Sequence, residues 1–309
     1  MDVVLEFLKA LVSIVVIAKS ADWLVESAAR IASRLGVSQL IIGLTVIAFG
    51  TSAPEFAVSV SAALRGFGNI AVANIVGSNI FNICFILGFS AILRPIITTK
   101  KLVYRDCVFM AFGTLLVLTF IYNLAIGIEE GAVLFSLLII YLLFLAWRRE
   151  APEEVEVKVG EAKWYDAILL FVGLLGVIAG GNLLVSSAVK IATAAGISQW
   201  AIGVTLVAFG TSVPELATSA TAALKKYYAI SAGNLIGSNI FNIFGVIGLA
   251  GILNRMTFDI EARQDLFIML SSVILVTILM RTGWKVSRKE GLLLILVSIL
   301  WWYDIIVLR

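Results

Sequence analysis

The sequence predicts an all-α polytopic membrane protein with ten transmembrane helices in two inverted five-helix repeats, and three observations predict it. Of the 309 residues, 61% are hydrophobic and only 14% charged, with a mean hydropathy of +1.06. A soluble domain of this length needs far more charge to cover its surface. The apolar residues gather into ten segments of spanning length, and the chain resembles itself at an offset of 160 residues.

In order, the segments cover residues 3–26, 40–64, 70–93, 103–122, 126–147, 165–189, 200–224, 230–253, 264–281 and 291–308. The opening M-D-V-V-L-E-F lacks the basic start of a signal peptide, so the first segment is expected to remain in the membrane. The cations orient the set. Arg30 and Arg34, Arg94 to Arg105, Arg148 to Lys163, Lys225 and Lys226, and Arg281 to Lys289 all fall in loops on one side. The opposite loops hold Arg65, Lys190, Arg255, Arg263 and the acidic pair Glu129 and Glu130. The positive-inside rule then places both termini outside a multi-pass protein of the cell membrane. Cations distributed by topology leave no patch for nucleic acid, and nothing implies an obligatory protein partner beyond the lipid bilayer. The chain has no histidine, which removes imidazole ligands and most zinc chemistry. Cys84 and Cys107 sit in or beside apolar segments and read as small packing residues. Trp147, Trp164, Trp284, Trp301 and Trp302 cluster toward segment ends and read as interfacial anchors.

The repeat organises the chain as residues 1–150, a cytoplasmic linker at 151–163, and residues 164–309. I31-A-S-R-L-G-V-S-Q-L-I-I-G-L-T-V-I-A-F-G-T-S-A-P-E55 lies over I191-A-T-A-A-G-I-S-Q-W-A-I-G-V-T-L-V-A-F-G-T-S-V-P-E215, identical at 15 of 25 positions. N74-I-V-G-S-N-I-F-N-I83 lies over N234-L-I-G-S-N-I-F-N-I243. Five spans per half is an odd number, so the second half enters the membrane from the opposite side. The acidic linker A151-P-E-E-V-E-V-K-V-G-E-A-K163 is a solvated connection or a cation site, and too short to be a domain.

Each G-T-S-x-P-E box puts a helix breaker and a carboxylate inside an apolar span. Proline removes a backbone donor and clashes with the carbonyl four residues back, which is expected to free carbonyls near the break, those of Ala48 and Ala208 among them. Thr51, Ser52, Thr211 and Ser212 add hydroxyls. Glu55 and Glu215 each follow a threonine by four residues, so carboxylate and hydroxyl point the same way if the helix resumes. Two carboxylates brought together by pseudo-symmetry repel unless a cation or proton sits between them. Asn74, Ser78 and Asn82, with Asn234, Ser238 and Asn242, form one polar stripe on the third and eighth spans, and Asn79 and Asn239 lie off it, placed to cap or brace a neighbour. The bland readings are helix irregularity at the prolines and interhelical hydrogen bonding along the stripes. The assembled chemistry is all oxygen, which suits hard cations such as calcium, and sodium with a subset. Lys19, Asp22 and Glu26 on the first span read as a locally paired, snorkelling face, because Asp22 is matched by Asn182 and Glu26 by Ser186.

With these two boxes in place, the sequence resembles the cation/calcium antiporter superfamily, and within it a prokaryotic sodium/calcium exchanger. The resemblance implies a sodium/calcium exchanger-like fold and a secondary antiporter that extrudes calcium as about three sodium ions enter, with no cofactor and no enzymatic activity. It implies calcium at Glu55, Glu215, Thr51 and Thr211. It implies flanking sodium sites at the Ala48 and Ala208 carbonyls with Ser52, Ser78, Ser212 and Ser238, and polar positions at Asn82 and Asn242. Potassium-dependent relatives carry aspartate at the position matching Asn242, and proton/calcium members typically carry G-N-x-x-E in place of G-T-S-x-P-E; neither pattern is present. The alternatives are a proton/calcium or other cation exchanger, a cation channel using the same carboxylates, and a membrane hydrolase with those carboxylates as acid and base. The absence of a G-x-x-x-x-G-K-[ST] loop agrees with transport driven by ion gradients. The small-residue-rich first and sixth spans are candidates for the moving element.

Overall fold

The computed structural model describes residues 3–148, 150, 157, 159–195 and 208–305. It is helical in the expected order. The helices are α1 (Val3–Leu35), α2 (Gln39–Thr51 and Ala53–Leu64), α3 (Gly68–Leu93), α4 (Leu102–Asn123) and α5 (Ile128–Arg148). The second half repeats them as α6 (Asp166–Ala194), α7 (Val213–Leu224), α8 (Tyr228–Leu253), α9 (Ile260–Arg281) and α10 (Arg288–Tyr303). The linker run with Glu153, Glu154 and Glu156, residues 200–207 of the expected seventh span, and residues 306–308 of the tenth lie outside the described residues.

Six of these helices are long and apolar enough to cross a membrane by themselves, and the two arms of α2, bent by 50°, make a seventh together. The first helix is long enough but carries Glu6, Lys9, Lys19, Asp22 and Glu26. It also runs nine residues beyond the predicted span to Leu35, reaching about 50 Å at 1.5 Å per residue, longer than a hydrocarbon core of about 30 Å requires.

Two short ladders display the inversion. Strand β1 (Ile96–Ile97), after α3, pairs antiparallel with β4 (Lys285–Val286), before α10. Strand β2 (Ala125–Ile126), after α4, pairs with β3 (Met256–Thr257), after α8. Strands that correspond in the two repeats therefore sit in different ladders, at opposite ends of the helices, as an odd span count requires.

Glycines let helices of different repeats touch backbone to backbone. A Cβ on Gly88 of α3 would lie 2.6 Å from the Gly291 carbonyl of α10, and one on Gly131 of α5 would lie 2.6 Å from the Gly248 carbonyl of α8. These contacts are related by the 160-residue offset, so the two halves interlock and share one apolar core. The pair α1 and α6 is built the same way: a Cβ on Gly173 would lie 2.7 Å from the Leu24 nitrogen. Two ion pairs staple its ends, Arg30 to Asp166 at 2.8 Å and Lys190 to Glu6 at 3.3 Å. They too are repeat-related, acid 6 with acid 166 and base 30 with base 190, and they make the two helices antiparallel.

Two expectations are corrected. Trp147 and Trp164 are exposed as anchors should be, but Trp301 is buried and Trp302 stacks on Phe209 with ring centroids 4.5 Å apart. At that end of α10 the Trp301 ring would lie 3.6 Å from a Cβ on Gly77 of α3, so the side chain packs against the central helices. Lys19 takes no part in the pairing and lies over the Trp23 ring; Glu26 pairs locally with Arg30 at 3.4 Å, and Asp22 and Glu26 both reach across to Lys225 at the end of α7, at 3.0 and 2.6 Å.

Gly88→Ala and Gly248→Ala should each destabilise the protein by roughly 1–3 kcal/mol, because backbone cannot yield as a side chain can. Gly245→Ala, whose Cβ would meet only the tip of Leu138 at 3.0 Å as its nearest neighbour, should be close to neutral. Thermal unfolding in detergent measures the difference, and equal midpoints for Gly88→Ala and Gly245→Ala would show that the contact is slack.

Candidate ion-binding centre

Ser52 ends the first arm of α2 at φ −80°, ψ 5°, and Pro54 sits in the first turn of the second arm. Proline is tolerated there because the first-turn donor has no helical partner in any case. Ser212 and Pro214 repeat this at the start of α7, after the turn Ala208–Gly210. Each break sets Glu55 or Glu215 in the first turn of the resumed helix, and both are completely buried.

The second box adds a different irregularity. The amides of Leu87 and Ile247 bond five residues back, to the carbonyls of Asn82 and Asn242, so each asparagine lies in a wide π-helical turn, Phe81–Ile86 or Phe241–Val246. Such turns recur at functional sites because they re-aim side chains.

The hydrogen bonds cross between repeats. Glu55 Oε1 accepts from Ser78 Oγ and from Ser212 Oγ, both at 3.1 Å. Glu215 Oε1 accepts from Ser52 Oγ at 3.2 Å and from Ser238 Oγ at 3.5 Å. Each break thus supplies a serine to the other repeat's carboxylate. Asn239 donates to the Asn79 carbonyl at 3.0 Å, and Asn79 approaches the Asn239 carbonyl at 3.5 Å. Their side-chain oxygens then accept from Asn242 Nδ2 at 3.0 Å and Asn82 Nδ2 at 3.1 Å. The off-stripe asparagines are braces, as their position allows, and their partners are each other.

What these bonds leave over is the informative part. Glu55 Oε2, Glu215 Oε2, Asn82 Oδ1 and Asn242 Oδ1 are buried without a hydrogen-bond partner. Among the described residues no basic side chain pairs with either glutamate, and no third acidic residue joins them. A buried oxygen with no donor is costly, and a buried unpaired carboxylate more so, unless a proton or a cation occupies the gap. Four orphaned acceptors, two of them on carboxylates without a basic partner, suit a positive charge.

The halves are not identical. Thr51 Oγ1 donates to Asn234 Oδ1 at 3.1 Å and lies 3.5 Å from Ser238 Oγ, whereas Thr211 Oγ1 is buried without a partner. The Ala48 carbonyl is not freed by the break. It still accepts from the Ser52 amide at 3.0 Å, because proline deprives a different carbonyl of its donor, and Ser238 Oγ approaches it at 3.4 Å. Ala208 begins the turn before Ser212. Sequence reasoning missed Ser59 and Ser219, which accept from Asn74 at 2.9 Å and Asn234 at 3.0 Å. Their identity at the repeat offset was the available signal.

A profile described as "Sodium/calcium exchanger protein" matches residues 6–147 and 165–303. The chain belongs to the sodium/calcium exchanger family. It is 32% identical to sodium/calcium exchanger MaX1 of Methanosarcina acetivorans over 95% of this chain and 96% of that one. It is 35% identical to the putative antiporter CaxA of Alkalimonas amylolytica over 94% and 95%. The structure of the sodium-calcium exchanger NCX_Mj soaked with 10 mM Na+ and 10 mM Sr2+ superposes with a TM-score of 0.86, at 33% identity, over 99% of both chains. This exchanger is therefore a secondary antiporter of sodium and calcium in a lipid bilayer, a transporter and not an enzyme, and the two cations are its substrates.

Replacing Asn239 with Leu should strand the buried Asn82 amide and cost about 1–3 kcal/mol. The exposed Asn69–Asp259 bond of 2.5 Å offers the comparison. Asn69→Ala should leave the unfolding midpoint near the parent value, and an Asn239→Leu midpoint as high as that of Asn69→Ala would remove the brace from the account.

Proposed function

We propose that the exchanger extrudes calcium by letting about three sodium ions enter per calcium, with both ions using the oxygens around Glu55 and Glu215. The observation that carries this reading is the set of buried acceptors without donors, two of them on carboxylates that have no basic partner. Calcium is bound by Glu55 and Glu215 with Thr51 and Thr211. Sodium takes the flanking oxygens of Ser52, Ser78, Ser212 and Ser238 and the carbonyls of Ala48 and Ala208, and Asn82 and Asn242 complete the set. Because the carboxylates are costly when bare, the site reorients occupied, and one ion's passage requires the other's return. Neutral Asn82 and Asn242 supply no further charge, which favours sodium coupling without potassium.

The moving element is the stapled pair α1 and α6. Its two helices contact each other through backbone, but Gly50 and Gly210 beside the site face it only through the side-chain tips of Leu174 and Val185. Such a surface slides more readily than interlocked glycines. The organising units are the repeats 1–150 and 164–309 with the linker 151–163 between them.

Sodium-loaded proteoliposomes diluted into sodium-free medium should take up calcium without ATP and in the presence of a proton ionophore. Three sodium ions per calcium move one net charge, so a membrane potential should change the rate through a term of ~2.3 kcal/mol per charge per 100 mV. Potassium on both sides should have little effect. Glu55→Gln or Glu215→Gln should abolish nearly all uptake in folded protein, and uptake at the parent rate would overturn the assignment. Uptake that ignores internal sodium and collapses with the ionophore means proton coupling; uptake indifferent to both gradients means a channel.

Both termini lie outside the cell in this reading, from the asymmetry of basic loops. A cysteine replacing Glu129 should react with an impermeant maleimide on intact cells, and one replacing Glu154 should react only after permeabilisation. The reverse pattern would invert the orientation.

A further inference from the structure

The ends of the two proline–glutamate arms differ in what they face. Arg65 caps the arm that carries Glu55, and Lys225, its equivalent at the repeat offset, caps the arm that carries Glu215. Lys225 Nζ lies 2.6 Å from Glu26 and 3.0 Å from Asp22 on α1. The matching positions on α6 are Asn182 and Ser186, and among the described residues Arg65 forms no ion pair. Burial follows the charges. Beside this contact, Leu24, Val25, Ala28, Ala29 and Ala32 of α1 are buried against α2, α7, α8 and the partner helix α6 in an apolar cluster. At the other end of the pair the matching positions of α6 are less covered: Leu184, Val185, Ala188 and Val189 are half-buried and Ala192 is buried, while Asn182, Leu183 and Ser186 are exposed where Asp22, Trp23 and Glu26 are half-buried.

We infer that the Lys225–Asp22/Glu26 contact is a one-sided electrostatic latch that holds the α1–α6 pair against the arm bearing Glu215, biasing the exchanger toward the state closed at that end. The inference rests on α1 and α6 being the moving pair. The latch is joined to the site by a rigid stretch of helix, Val213–Leu224, so a shift of the arm at Glu215 is felt at Lys225. The outer end has the cation, Arg65, but no carboxylate for it, and so closes without such help. Asp22 and Glu26 are 41% and 38% exposed, which keeps the contact weak enough to break in every cycle.

The test uses the full chain with Cys84 and Cys107 replaced by Ala and one cysteine introduced at Ala32, under the latch. Lys225→Gln, and separately Asp22→Asn with Glu26→Ser, which copies the outer end, should raise the maleimide labelling rate at that cysteine threefold to tenfold, tenfold being about 1.4 kcal/mol. The full charge reversal, Lys225→Glu with Asp22→Lys and Glu26→Lys, should restore slow labelling, which a purely steric role would not. Conversely, Asn182→Asp with Ser186→Glu should pair with Arg65 and slow exchange, and adding Arg65→Gln should recover the rate. Labelling unchanged by Lys225→Gln, or fast labelling that the reversal leaves fast, would overturn the latch. Labelling needs no ion gradient, so it reads the latch even if the parent protein fails to couple calcium to sodium.

Discussion

The structure turns on the burial of two carboxylates that have no cationic side chain to meet them. Glu55 and Glu215 are held in apolar surroundings, each with one oxygen served by two serines and the other left bare. In a low-dielectric interior such a pair is tolerable only when something positive is present. The breaks at Pro54 and Pro214, the π-helical turns at Asn82 and Asn242, and the crossed asparagine brace place the oxygens of this centre, and none of them brings a cationic side chain to it. A lysine or arginine in their place would make the fold easier to stabilise and would leave nothing for the transported ion to neutralise.

Much of this was legible in the sequence, because duplication writes each important feature twice. Ten spans, their inversion, both boxes and the pairing of Glu55 with Glu215 follow from hydropathy and the 160-residue offset alone. The partner of each serine was not legible: Ser52 serves Glu215 and Ser212 serves Glu55, since nothing in a linear pattern says that bonds cross between halves. The misreadings have the same origin. Trp301 looked like an anchor because it lies near a segment end, and the long-range partner of Asp22 and Glu26 went unseen because Lys225 is some 200 residues away, although Glu26 also pairs locally with Arg30. Helical spacing reports which residues share a face, and says little about which face of another helix meets them.

The departures from symmetry carry information of a different kind. Thr51 is bonded where Thr211 is not, and Phe81–Phe209 approach to 4.5 Å where Phe49–Phe241 remain 5.5 Å apart. An alternating-access machine with two equivalent halves has to adopt them unequally in either end state, so the same residues must be able to live in two environments. Differences fixed in the sequence, as at Asp22 and Asn182, are of another sort: they tilt the balance between those states permanently, whereas conformational differences exchange roles during the cycle.

The glycine contacts between halves have a consequence for how such a chain can arise. Gly88 meets Gly291 and Gly248 meets Gly131, so the surface that each half offers is complementary to the surface of its inverted counterpart. That is the geometry of an isologous dimer whose two subunits lie antiparallel in the bilayer. A single five-helix gene product inserted in both orientations would meet itself across the same seam, and the polar segment after residue 150 is the tether that fusion of two such copies requires. Once the copies share one reading frame they are free to diverge at paired positions, which is how a self-complementary ancestor acquires an inside and an outside.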